Sequence, residues 1–160
     1  MQEHIQNELA SFIANCDWEK IAPHFKEDAA YRVLDWIGCA VAGEHYPQVE
    51  IAQKYFIENG DQGNSTVIGH QTKCSPRTAA FLNGIAGHVC ELDDGHRTAI
   101  GHPGSIAVPT ALALGEHLNA SGADVLKAVI LGYEVFSRLG RTVNPSHYRK
   151  WHTTGTCGTI

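Results

Sequence analysis

The chain is short of basic residues, lacks any paired-cysteine motif, and has no long apolar run. Lys and Arg number 12 against 17 Asp and Glu, giving a net charge of −5 at pH 7, and the cations are scattered apart from Arg149-Lys150. A nucleic-acid partner requires a basic face, so that class is excluded. No apolar stretch approaches the roughly 20 residues of a membrane span, so no membrane partner is expected. The opening MQEHIQNELASF is polar and amphipathic, without the basic and apolar regions of a signal peptide. The five cysteines, Cys16, Cys39, Cys74, Cys90 and Cys157, are odd in number and form no CxxC pair. That usage predicts reduced thiols in the cytoplasm rather than a disulfide framework, with Cys16 and Cys39 buried among apolar neighbours. GxSxG, P-loop and GxGxxG patterns are missing too, so nothing points to a serine hydrolase or a nucleotide fold.

What is present is helical periodicity, in a chain of 160 residues that fits one domain with a single core. Apolar spacing predicts helices over 1–16, 24–42 and 47–58, the second with a wide stripe of Ala30, Val33, Leu34, Ile37, Cys39, Ala40 and Val41. Residues 60–72 are turn-rich, with Thr66-Val67-Ile68 the one β-like piece. Ser75-Pro76 is an N-cap and N1 pair that starts a helix rich in small residues through Val89. The pattern returns over 106–117, where Pro109 fits near the first turn, and over 121–139, where Ser121 and Asp124 resemble a capping box. Val125, Val129, Tyr133, Phe136 and Gly140 lie on one face of that last helix. The tail from Arg141 reads as a loop. The fold class is therefore all-α, a helical bundle with short connections.

Chemistry concentrates in GHVCELDDGHRTAIGHPGS, residues 87–105, where three histidines and three carboxylates stand among four glycines. Three readings compete. Metal ligation has the right residue types in His88, Cys90, Asp93, Asp94, His96 and His102, but no recognised spacing. His88 then simply ends a helix, where its charge suits the dipole. Acid/base chemistry suits carboxylates beside histidines, because the groups shift one another toward neutral pH. A solvated loop is the third reading. A second cluster, Lys150-Trp151-His152-Thr153-Thr154-Gly155-Thr156, offers hydroxyl and backbone donors to an anion.

The runs Ala80-Phe81-Leu82-Asn83-Gly84-Ile85-Ala86-Gly87-His88, Leu92-Asp93-Asp94 and His102-Pro103-Gly104-Ser105 resemble the signature region of the MmgE/PrpD family. Asp35 to Gly43, Gly132-Tyr133-Glu134-Val135 and Trp151 to Thr156 are similar to other parts of it, in the same order. The resemblance implies that 1–160 is the N-terminal part of one large all-helical domain, with the rest of that domain and a smaller α/β domain outside this chain. It implies a homodimeric, cofactor- and metal-free enzyme acting on a small di- or tricarboxylate. The leading expectation is a hydro-lyase such as 2-methylcitrate dehydratase, working by proton abstraction next to a carboxylate. A decarboxylase of cis-aconitate, an iminodisuccinate-like epimerase and an inert helical fragment are the alternatives. By the same resemblance His102, His152, Asp93 and Asp94 are the catalytic candidates. Glu91, His96, Arg97, Lys150 and Thr154 are the substrate-binding ones. The chain departs from the family at Glu91, where Asp is common, and at Gly95, where Thr is common. Its loop from Asp94 to His102 is also slightly longer than the decarboxylase's.

Overall fold

A computed structural model describes residues 4–160. Helix α1 (Ile5–Ala14) precedes a 3-10 turn at Trp18–Lys20 and the long α2 (Pro23–Gly43). Helix α3 (Pro47–Glu58) leads into a two-stranded antiparallel pair, β1 (Ser65–Thr66) and β2 (Lys73–Cys74). Then follow α4 (Pro76–His88), α5 (Gly104–Leu118), α6 (Gly122–Val143) and a short α7 (Thr153–Cys157). The all-α reading holds, and no described helix is long and apolar enough to cross a membrane.

Local chemistry sets the helix ends. Pro23, Pro47 and Pro76 each occupy a first helical turn, where the missing N–H costs nothing. Ser75 and Ser121 cap α4 and α6 by accepting from the backbone N–H of Thr78 and Asp124. Asn119 ends α5 in the left-handed region at φ 52°.

Helix α4 is the centre of the bundle, with α2 against one side and α5 against the other. The main core joins Trp36, Ala40, Val49, Ala86, Val108 and Val129. Small residues let the axes approach. A Cβ built on Gly43 would stand 2.0 Å from the Ala86 carbonyl oxygen, and one on Gly87 would stand 2.6 Å from the Trp36 ring. Gly87→Ala is therefore expected to destabilise by about 1–3 kcal/mol through overpacking. A lower urea midpoint with an unchanged slope is the outcome expected in equilibrium denaturation.

Several sequence expectations are corrected. Pro109 is the sixth residue of α5, because the helix begins at Gly104 rather than at residue 106. The Ser105 carbonyl loses its intrahelical donor there, and it faces Gly84, which lacks the side chain that would crowd it. Helix α6 runs on to Val143, and the tail folds into a 3-10 turn and α7. Asn144 holds that tail by donating to the Ala99 carbonyl and the Thr153 hydroxyl. The stripe of α2 is narrower than expected, since only one side of the helix meets α4, α5 and α6, leaving Ala30, Leu34 and Val41 exposed. Cys39 is buried, but Cys16 is only half-buried, in the connection between α1 and α2. The predicted face of α6 is as read: Val129, Phe136 and Gly140 are buried, Val125 and Tyr133 half-buried.

Glu116 ties the β pair to α5, taking Lys73 Nζ at 2.5 Å and the Thr66 N–H at 2.6 Å. Burial raises its pKa, but the Lys73 ammonium and the Thr66 donors outweigh that and hold it below the usual glutamate value. A carboxyl group depressed in the folded state stabilises above its unfolded pKa and loses that contribution as pH falls through the folded one. Glu116→Gln should thus be less stable than the parent at pH 7. The gap should close below about pH 4, as read from urea midpoints across pH.

Candidate active site

The chemistry-bearing segment connects α4 to α5, and three features fold it inward. The chain turns sharply after His88, with Glu91 in the left-handed region at φ 49°. His96 N–H donates to the Gly101 carbonyl at 2.8 Å, closing residues 96–101 into a tight turn. The backbone N–H of His102 donates to Thr154 Oγ1 at 3.0 Å, which fastens the end of the segment to α7.

Asp93 is the focus. Its side chain is 0 % exposed. Ser105 Oγ donates to Asp93 Oδ2 at 2.5 Å, and His88 Nδ1 stands 3.0 Å from Oδ1 and 3.1 Å from Oδ2. A buried carboxylate requires such donors, because an unpaired charge away from water is costly. His102 Nδ1 lies 3.3 Å from Asp93 Oδ2, close enough for an ion pair but poorly aligned for a hydrogen bond, so this buried nitrogen has no hydrogen-bond partner. The His88 and His102 rings meet edge to face with centroids 4.8 Å apart, and the His152 ring lies 6.1 Å from that of His88. One buried carboxylate thus sits against two imidazoles, with a third, exposed one beyond His88. A cavity of about 540 Å³ opens on the His88 side of this group, lined by His88, Ser105, Thr154 and the apolar Phe81, Ile85 and Ile106 among others.

Asp94, next in sequence, faces the other way. It accepts from Arg32 Nη1 at 2.7 Å, from the Tyr133 hydroxyl at 3.1 Å and from the Gly104 N–H at 3.2 Å. Arg32 also pairs with Asp28 at 2.6 Å and packs over the Tyr133 ring. Burial, reinforced by the Asp94 charge, pushes the Tyr133 phenol well above its ordinary pKa, so it stays a neutral donor. Asp94 therefore joins α2, α6 and the first residue of α5, and holds in place the helix start that carries Ser105.

The remaining predicted residues separate. His152 is exposed at the start of α7, near His88. Thr154 is buried and its hydroxyl holds the His102 backbone. His96 caps its own turn, its Nδ1 accepting from the Ala99 N–H at 3.0 Å. Arg97 sits exposed on the same turn and borders a larger cavity with Arg32, Asp94 and Arg138. Glu91 and Lys150 are exposed and lie outside the Asp93 group. In the sequence His88 figures only among possible metal ligands and as a helix end, and Ser105, Arg32 and Tyr133 have no site role. His88, Ser105 and Tyr133 lie inside the family-like motifs, whereas Arg32 carries no sequence signal.

The sequence pattern of the MmgE/PrpD N-terminal domain matches residues 7–160. The chain is 30% identical to the cis-aconitate decarboxylase-like protein oryM of Aspergillus oryzae, over 94% of this chain and 33% of that protein. It is 31% identical to a cis-aconitate decarboxylase of Aspergillus terreus over 98% of this chain and 32% of that protein. With the Homo sapiens cis-aconitate decarboxylase it shares 31% identity over 80% of this chain and 28% of the relative. The chain thus spans about a third of the length of the Aspergillus relatives.

Proposed function

Since the chain belongs to the MmgE/PrpD family, we propose that it forms the proton-transfer wall of a lyase acting on a small tricarboxylate, and that the reaction is decarboxylation of a cis-aconitate-like substrate. The observation that carries this reading is the pair of imidazoles, His88 and His102, at buried Asp93, with His88 lining a cavity and standing close to His152. The relatives' names favour decarboxylation over the dehydration that leads the sequence reading.

The chemistry asks for little beyond proton transfer. The bond to the departing carboxylate breaks and CO2 leaves. The freed electron pair passes through the double bond to the carbon beside another carboxylate, giving an aci-carboxylate. An imidazolium then protonates that carbon. His102 is assigned as this donor. Its backbone is fixed by Thr154, its ring lies next to Asp93, and its Nδ1 has no hydrogen-bond partner. A positioned acid of this kind contributes about 10²–10⁴ in rate. His152, exposed at the rim, is the second donor or carboxylate binder. Arg97 and Lys150, both exposed, are free to pair with substrate carboxylates.

Dehydration of a 2-methylcitrate-like substrate is kept as a second reading. The loop from Asp94 to His102, slightly longer than the decarboxylase's, favours it. The same groups would remove a proton next to a carboxylate and protonate the leaving hydroxyl. NMR of product mixtures from cis-aconitate and from 2-methylcitrate, incubated with the protein as expressed in its own cells, separates the two. Loss of CO2 from cis-aconitate is expected. Water loss from 2-methylcitrate alone would move the assignment to dehydration, and no turnover of either would overturn both.

A further inference from the structure

Spacing along the chain argues against a metal, yet folding brings three ligand types together. His88 Nδ1, a carboxylate oxygen of Asp93 and His102 Nδ1 all lie within 4.8 Å of one another. From Asp93 Oδ2, His88 Nδ1 stands at 3.1 Å and His102 Nδ1 at 3.3 Å. Zinc bonds of about 2.1 Å in a tetrahedral set place ligand atoms about 3.4 Å apart, close to both imidazole-to-Oδ2 separations, and the two imidazoles would turn toward each other to complete the set. Both imidazoles turn the same nitrogen, Nδ1, toward the carboxylate. The His102 Nδ1 is buried and unpartnered, and a buried polar atom of that kind is normally satisfied by something. Ser105 Oγ donates to Asp93 Oδ2 and so fixes the orientation of the carboxylate between the two imidazoles. Cys39, a competing ligand nearby, is disfavoured because burial raises its thiol pKa and only the thiolate binds metal.

We propose that His88, Asp93 and His102 form a three-ligand site for a divalent first-row transition ion, zinc above all, and that zinc is a reversible inhibitor of the protein. Two imidazoles and a carboxylate suit zinc or cobalt and not magnesium or calcium, which take all-oxygen sets. The fourth position is left for water or for a substrate carboxylate. Inhibition rests on the proposed function, because the ion occupies the atoms assigned to proton transfer; binding does not rest on it.

Cobalt(II) titration of the native protein, followed by visible absorption and with zinc competition, tests the site without any assay of turnover. One equivalent should bind with the intense bands of four-coordinate cobalt, and zinc should bleach them. His88→Ala and His102→Ala should each weaken binding at least about 100-fold while far-UV ellipticity is retained. A His24→Ala/His45→Ala variant, altered at two exposed histidines outside the cluster, should bind as the parent does. Equal binding by the parent and both cluster variants would overturn the proposal, as would a thiolate-to-cobalt charge-transfer band. If zinc binds at the cluster but leaves turnover untouched, the inhibitory part falls and the metal site stands.

Discussion

Replacing His102 by alanine should lower turnover by about 10²–10⁴-fold without unfolding the protein. The expectation follows from how the residue is held. Its backbone N–H donates to Thr154 Oγ1, and alanine keeps that bond. Its ring makes no hydrogen bond through Nδ1, and buried Asp93 keeps its contacts with His88 and Ser105 when the ring is removed. What is lost is an imidazole 4.8 Å from His88 and 3.3 Å from Asp93. Steady-state kinetics with matched circular dichroism is the measurement. The loss should fall on kcat, with KM changing little, because the proton is delivered in the transition state. Turnover within threefold of the parent would remove His102 from the mechanism.

Changing Asp94 to alanine should have the largest effect on stability, about 2–3 kcal/mol, because it leaves Arg32, the Tyr133 hydroxyl and the Gly104 N–H without their shared acceptor. Arg32 is partly solvated and keeps Asp28, which limits the loss. Asp94→Asn retains the Oδ1 acceptor for both Tyr133 and Gly104 but sets an NH2 in place of the charged Oδ2 facing Arg32, so it should lose less than alanine. The pair of variants, compared by urea denaturation, separates a positioning role from a catalytic one. Asp94→Asn should keep most of its turnover, whereas a collapse of kcat with unaltered stability would make Asp94 a proton carrier.

Most of the helices were legible because each is bounded by residues with a mechanism: prolines in first turns, serines that cap, Asn119 in the left-handed region. The tail was not. Its fold depends on Asn144 reaching back to Ala99, a contact between residues 45 apart in sequence. Pro109 misled for a related reason. Its tolerance within α5 comes from Gly84 on a different helix.

The candidate site was legible as a list of residue types, not as an arrangement. Asp93 and Asp94 are adjacent and chemically identical. Their side chains leave the chain on opposite sides, so one meets histidines while the other meets Arg32 and Tyr133. His88 looked like an ordinary helix terminus, which it is. Its second contact, with a carboxylate five residues on, exists only because the chain reverses at Glu91.

The central claim is that the imidazoles around Asp93 carry a proton to a carbon next to a carboxylate. Turnover of cis-aconitate in D2O tests it most directly, with the product read by mass spectrometry and NMR for the native protein and for His102→Ala. The account predicts release of CO2 and one solvent deuteron on the carbon that takes up the electron pair, with product formation all but lost in the variant. Equal formation of the labelled product by parent and variant would contradict it.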